Sequence, residues 1–399
     1  MNAEPATRSV PPFRPPHFRL FVLRGRLAAC LTLAAAASLL SVPLLALLLG
    51  GFGALVAFGC WLLWGATWPL LAISLGSVAA VLACYAAVCL LSVLLVPLPA
   101  PEGIRLSPTD APELFRLIAS MSRVLAAGRI DHVWVTPDIN ASVLQRPRRG
   151  FFGRIETHLL IGLPLAHSVT RAQLMAVLAH EFSHLALQRK GFGKYGALLR
   201  AWWLRVLDRI GDVFPVLGAR ADRWLHRFYC NMARLARIEE FEADAFATKL
   251  VDADLLGGTL IEVSLKGQFL SRDYWPRVLA QSKVRAKPLV RPYRDLGLGM
   301  AAGFMRASAD DALSGDEPRP LHPNTRERLR ALRASPCPPL SGEQTSAARH
   351  YLAPLLLTLA WVFDRAWWQG VRPDWQLTYS DACGKHLRKQ AGRRRDGGT

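Results

Sequence analysis

Between Leu27 and Leu98 the sequence contains no Asp, Glu, Lys, Arg or His. A soluble domain does not leave so long a stretch uncharged, whereas a bilayer requires it, and there is room for two helical spans of about 20 residues each. Acidic residues are also scarce, 30 against 49 Lys and Arg, for a formal charge of +19. A basic chain can hold nucleic acid, but no zinc knuckle, ribonucleoprotein signature or helix-turn-helix pattern is present, so no nucleic-acid partner is expected. The seven cysteines are unspaced: Cys30, Cys60, Cys84 and Cys89 lie in the apolar stretch, and Cys230, Cys337 and Cys383 are scattered. That odd set excludes a disulfide framework and a thiolate metal site, and it suits a reducing compartment. No internal repeat occurs.

The apolar stretch divides into a span over Leu27–Leu49, an interruption at Gly50, Gly51 and Gly53, and a second span over Pro69–Val96 closed by Pro97, Pro99 and Pro101. Trp61, Trp64 and Trp68 cluster between them, as at a membrane interface. Residues 1–26 form a basic, Pro-rich arm with Arg8, Arg14, Arg19, Arg24 and Arg26 against Glu4. Arginine on one flank keeps that flank in the cytoplasm, and a hairpin over 27–98 returns the chain to the same side. The expectation is a multi-pass protein of the bacterial inner membrane, with the bilayer as partner and the large domain cytoplasmic.

Beyond the anchor the pattern is mixed, helices outnumbering strands. Apolar Leu114, Leu117, Ile118, Met121 and Val124 recur at helical spacing over Pro112–Ala127. His132–Thr136 alternates as a strand, Arg146–Arg154 reads as a basic turn, and Ile155–Ile161 reads as a strand that pairs back across it. Thr170 and Gln173 form the signature of a capping box at the start of a helix free of Gly and Pro to Leu187. Residues 196–250 read as helical with breaks at Gly211, Pro215 and Gly218; within them Leu198–Phe214, with Trp202 and Trp203, can rest on the membrane surface or pack in the core, and core packing is the expectation. Residues 306–320 read as a polar loop, a short helix follows Pro323, and Tyr351–Phe363 is an apolar helix too short to span. The basic tail from Lys385 is expected to be disordered.

The capped helix carries His180-Glu181-Phe182-Ser183-His184. Residues four apart on a helix share a face, so both imidazoles can reach one zinc ion, while Glu181 stands next to the metal's open position as general base to a metal-activated water. Flanking Met175, Val177, Leu178 and Leu185 imply burial, and buried imidazoles and a carboxylate are costly without a partner. A catalytic zinc takes a third protein ligand. His226, His322 and the run Glu239, Glu240, Glu242, Asp244 are candidates, with Glu240 and Asp244 sharing a helix face.

These motifs resemble the HtpX-like and CAAX-prenyl-protease-like membrane zinc metallopeptidases. Ala-His-Glu-Phe-Ser-His-Leu at 179–185 is similar to the family's zinc helix, and Glu-Phe-Glu-Ala-Asp-Ala-Phe-Ala at 240–247 to its downstream helix. The resemblance implies one Zn²⁺ held by His180, His184 and Glu240, with Asp244 orienting a histidine. His322-Pro323 followed by Arg328-Leu329 resembles the late His-Pro motif, which implies that His322 or Arg328 meets the substrate or the oxyanion. Asn140-Ala141 matches a pair near the strand that aligns a peptide or protein substrate. With the anchor and tail read from composition, the expected architecture is α+β and mostly helical: two transmembrane helices, then a zincin-like domain over 101–335 with a small β-sheet, then a helical extension and tail over 336–399. The implied function is zinc-dependent endopeptidase action in membrane-protein quality control, with a catalytically silent metal-stabilised scaffold as the alternative. Intact Glu181 weighs against the scaffold.

Overall fold

The computed structural model describes residues 17–62, 100–149, 152–189, 195–204, 218–303, 323–334 and 345–396, and single positions between 74 and 92. Helix α1, His17–Leu62, is 46 residues long. It does not break at Gly50, Gly51 and Gly53 as the sequence suggests. Each glycine costs a helix about 1 kcal/mol relative to alanine. A helix is nevertheless the one conformation that satisfies every backbone group where no water is at hand, so the composition overrides the glycines. One of them has a packing role: a Cβ on Gly53 would stand 3.3 Å from the Ala80 carbonyl oxygen, next to Ala83. Most of the expected second span, Pro69–Val96, lies outside the described residues, as do the arm 1–16 and the loop 306–320. Among the described residues one helix, over Val22–Gly59, is long and apolar enough to cross a bilayer.

The two halves of α1 have different surroundings. Leu31, Ala35 and Leu39 are buried with Trp202, Trp203, Phe228 and Leu235. Leu40, Leu44, Leu47, Leu55 and Phe58 are exposed. The stretch from Leu40 to Leu62 spans about 34 Å at 1.5 Å per residue, which matches one hydrocarbon thickness of about 30 Å.

Strand β1 (Ile104–Leu106), helix α2 (Pro112–Val124) and strands β2 (His132–Thr136), β3 (Ala141–Arg149) and β4 (Phe152–Gly162) follow. The four strands form one sheet in the order β1-β2-β4-β3. β4 pairs parallel to β2 and antiparallel to β3. The segment expected as a basic turn, Arg146–Arg154, is therefore mostly the distal part of a β3–β4 hairpin. Its arginines are long amphipathic side chains that a solvent-facing ribbon tolerates. Pro147 fits because β3 is the outermost strand, where a missing N–H costs no ladder bond. Gly162, at the end of β4, has no room for a side chain: a Cβ there would overlap the Asp138 carbonyl oxygen.

Helices α3 (Leu163–Ser168) and α4 (Arg171–Gln188) cross under the sheet, and α5 (Gly218–Ala247) and α6 (Ala253–Phe269) pack on α4. Leu174, Leu178, Phe182 and Leu185 of α4 join Leu159 and Ile161 of β4 and Val133 and Val135 of β2 in one core. The chain continues through α7 (Trp275–Ala280), α8 (Leu296–Gly303), α9 (Thr325–Leu332) and α10 (Ala347–Leu352) to α11, Leu356–Asp396. The basic tail is therefore helical to Asp396 and not disordered. Leu, Arg, Lys, Gln and Ala, the main residues of 385–395, are all strong helix formers.

The seam between α1 and α5 holds the apolar helix α1 to the domain. Trp202→Ala should destabilise the chain by about 3–5 kcal/mol, the usual cost of emptying a buried aromatic site. Thermal unfolding in detergent checks this; a variant as stable as wild type would mean that the seam carries no stability.

Candidate metal centre

Helix α4 is fixed at its start by the expected capping box. Thr170 Oγ1 accepts from the Gln173 N–H at 3.3 Å, and Gln173 Oε1 accepts from the Thr170 N–H at 2.9 Å. Two turns on, His180 is buried and His184 half-buried. Their rings meet edge to face with centroids 4.8 Å apart. The Nε2 atoms are 3.2 Å apart. From α5, Glu240 brings Oε2 to 3.5 Å from His180 Nε2 and Oε1 to 3.5 Å from His184 Nε2. Three ligand atoms on a tetrahedron with bonds near 2.05 Å lie about 3.3 Å from one another. The observed triangle thus fits a small divalent cation.

The tautomer is fixed as well. Asp244 Oδ1 lies 2.8 Å from His180 Nδ1, so the ring proton sits on Nδ1 and the Nε2 lone pair faces the centre of the triangle. Asp244 is in turn held by Arg328 of α9, whose Nε and Nη2 donate to the two carboxylate oxygens at 2.7 and 2.5 Å. Arg328 Nη1 also stands 3.4 Å from Glu240 Oε2. Helix α9 is placed by its own capping box, Asn324 with Glu327, and Glu327 takes Arg237 of α5 at 2.7 Å. Burial opposes the Asp244 charge, but the bonds from Arg328 and His180 prevail and hold its pKa below the usual range. Glu181 has no hydrogen bond or ion pair among the described residues. Burial pushes its pKa up, against the pull of His180 and His184.

The structure brings together His180, His184, Glu240, Asp244, Arg328 and Glu181. Asn140 and Ala141 lie apart, at the start of edge strand β3, where Asn140 O accepts from Gly162 N–H at 2.8 Å. His322 lies outside the described residues. His226 is exposed and faces Cys230 Sγ at 3.6 Å, away from the triangle. Arg328, expected to meet the substrate or the oxyanion, has its guanidinium engaged with Asp244. Sequence reasoning missed two further pairs. Glu242 meets Arg24 of α1 at 2.6 Å, and Glu239 lies 3.9 Å from Arg200, which donates to Thr32 Oγ1 at 2.9 Å. The charge pattern on α5 marks Glu239 and Glu242 as facing elsewhere, but no local signal names their partners.

A second group, His132, Glu156 and His158, has the residue types of a metal site. Its geometry argues against one. Trp134 Nε1–H donates to His158 Nδ1 at 3.1 Å. In a neutral ring this leaves the proton on Nε2, the atom that faces Glu156 Oε2 at 3.8 Å. A protonated nitrogen is not a ligand.

At the triangle, burial opposes protonation of His180, but its bonds to Asp244 and Glu240 outweigh it and raise the pKa to about 9. Below that pH a cation must displace one proton. Zinc titration of the metal-stripped chain should saturate at one ion, with affinity falling about tenfold per pH unit below about 9. His158→Ala should keep the ion and His184→Ala should lose it. A second zinc lost with His158, or an affinity independent of pH, would contradict this.

No curated protein and no solved structure matches the chain. Residues 150–335 match the model of peptidase family M48. The matched region contains α4, α5 and α9, the three helices that build the triangle. The match and the His180–His184–Glu240 group together make residues 150–335 similar to the metallopeptidases of that family.

Proposed function

We propose that this chain is a membrane-anchored zinc endopeptidase. The observation that carries the reading is the triangle of His180, His184 and Glu240, with the carboxylate of Glu181 unengaged beside it. Zinc, when bound, polarises the scissile carbonyl and makes a water acidic enough to attack it near neutral pH. His180, His184 and Glu240 hold the ion and leave one position open. Glu181 takes the proton from the attacking water and passes it to the leaving amine; a pKa raised by burial lets the carboxyl hold that proton between the two steps. Asp244 orients His180. Arg328 orients Asp244 and adds a fixed positive charge near the developing oxyanion, so its role is positioning first. His322 remains a candidate oxyanion donor.

The substrate is a peptide in extended form. The outer edge of β3 offers backbone donors and acceptors to such a chain, and Asn140 and Ala141 stand at its start. The basic arm and the apolar face of α1 support an anchor in the bacterial inner membrane with the domain on the cytoplasmic side, where membrane-protein quality control is the natural task.

Glu181→Gln should bind zinc as wild type does and lose about 10²–10⁴-fold in peptidase activity on an unfolded protein substrate. Retention of full activity would remove Glu181 from the reaction, and a wild-type chain without peptidase activity would favour the scaffold alternative. Arg328→Lys keeps the charge but not the two-pronged bond to Asp244. It should weaken zinc binding about 10–100-fold, as loss of a ligand-orienting bond does, measured by chelator competition; unchanged affinity would show that Asp244 needs no support.

A further inference from the structure

Beyond the last turn of α4, under the overhanging β3–β4 hairpin, lies a cavity of about 550 Å³. Its wall includes Arg129, Asp131, Arg154, Arg189 and Tyr195. Asp131 is the only acid there among the described residues, and it is already engaged. It lies 3.6 Å from Arg129 and 3.2 Å from Arg154, and accepts the Thr157 N–H at 2.9 Å. Arg189 has no acidic partner among the described residues. It rests on Gly128, whose φ of +89° and missing side chain make room for the guanidinium. The C-terminal ends of α2 and α4 also face this region, each equivalent to about half a negative charge. Three guanidiniums against Asp131 and two helix ends leave the cavity positive.

Its position gives this charge a meaning. Tyr195 is exposed, and the next residue, Gly196, touches Thr32 of α1: a Cβ there would stand 3.0 Å from Thr32 Oγ1. Thr32 lies within the charge-free stretch, about 12 Å along the helix before Leu40, so Tyr195 stands a few ångströms outside the headgroup layer, within reach of a long side chain, if Leu40–Leu62 crosses the hydrocarbon.

We propose that this cavity binds the phosphate headgroup of an anionic phospholipid and fixes the height of the peptidase domain above the bilayer. The assignment rests on the membrane-anchored reading above. Arg189 and Arg154 supply the charge, and Tyr195 supplies an amphipathic ring at the interface. An acidic peptide is the competing occupant. The lipid is favoured by the cavity's positive charge and by the contact with α1.

The test uses the full chain in neutral detergent, titrated with phosphatidylglycerol or phosphatidylcholine, with retained lipid read by native mass spectrometry. Phosphatidylglycerol should be retained preferentially. Arg154→Gln with Arg189→Gln should weaken it about fivefold per arginine, while Arg277→Gln, an exposed arginine on α7, should leave it unchanged. Equal retention of phosphatidylcholine, or wild-type retention by the double variant, would overturn the proposal. Displacement by inorganic phosphate or by an acidic peptide would overturn the lipid assignment. Zinc content and melting temperature of the variants confirm that they fold. Alkaline extraction of membranes tests the anchor by itself: release of the chain would sink the anchored reading, whereas the titration in micelles reports on the pocket alone.

Discussion

Two imidazole nitrogens 3.2 Å apart, inside a helix face that is otherwise packed with leucine and phenylalanine, set the terms for everything around them. Both lone pairs point into one small volume, which must hold either a shared proton or a cation. Glu240 closes that volume from a second helix, and Asp244, one turn further on, decides which nitrogen of His180 carries hydrogen. With both imidazoles neutral, Glu181, Glu240 and Asp244 contribute three negative charges and Arg328 one positive charge. The deficit of two is what a divalent cation supplies. The raised pKa of His180, about 9, is the same deficit seen from the proton's side: without a cation, the site takes a proton instead. Burial of unbalanced carboxylates costs several kcal/mol each, so the scaffold and the ion are energetically one unit.

The supports are layered outward from that point. Arg328 fixes Asp244; the capping box of Asn324 and Glu327 fixes the helix that carries Arg328; Arg237 ties that box back to α5. On the opposite flank of α5, Glu239 and Glu242 meet Arg200 and Arg24, so the helix that bears the candidate ligand Glu240 also grips the apolar helix α1. The positions of the triangle and of α1 are therefore coupled through a single helix.

The centre was more legible in the sequence than the frame around it. His180, His184, Glu181, Glu240 and Asp244 stand at helical spacings, and spacing within a helix is local information. The capping box at Thr170 and Gln173 is local in the same sense. What escaped was set by distant partners or by environment. Glycines at 50, 51 and 53 are helix breakers in water, and only an apolar setting lets α1 run through them. The residues of β3 lack a clean alternation, because β3 is an outer strand whose pairing with β4, not its own pattern, makes it a strand. The partnership of Arg328 with Asp244 joins residues 84 positions apart, and no motif spacing announces it.

X-ray absorption at the zinc edge of the purified, zinc-loaded chain tests the central claim most directly. The account predicts a first shell of nitrogen and oxygen only, at about 2.0–2.1 Å, with the outer-ring scattering of two imidazoles. A sulfur shell near 2.3 Å, or a shell with fewer than two imidazoles, would contradict it.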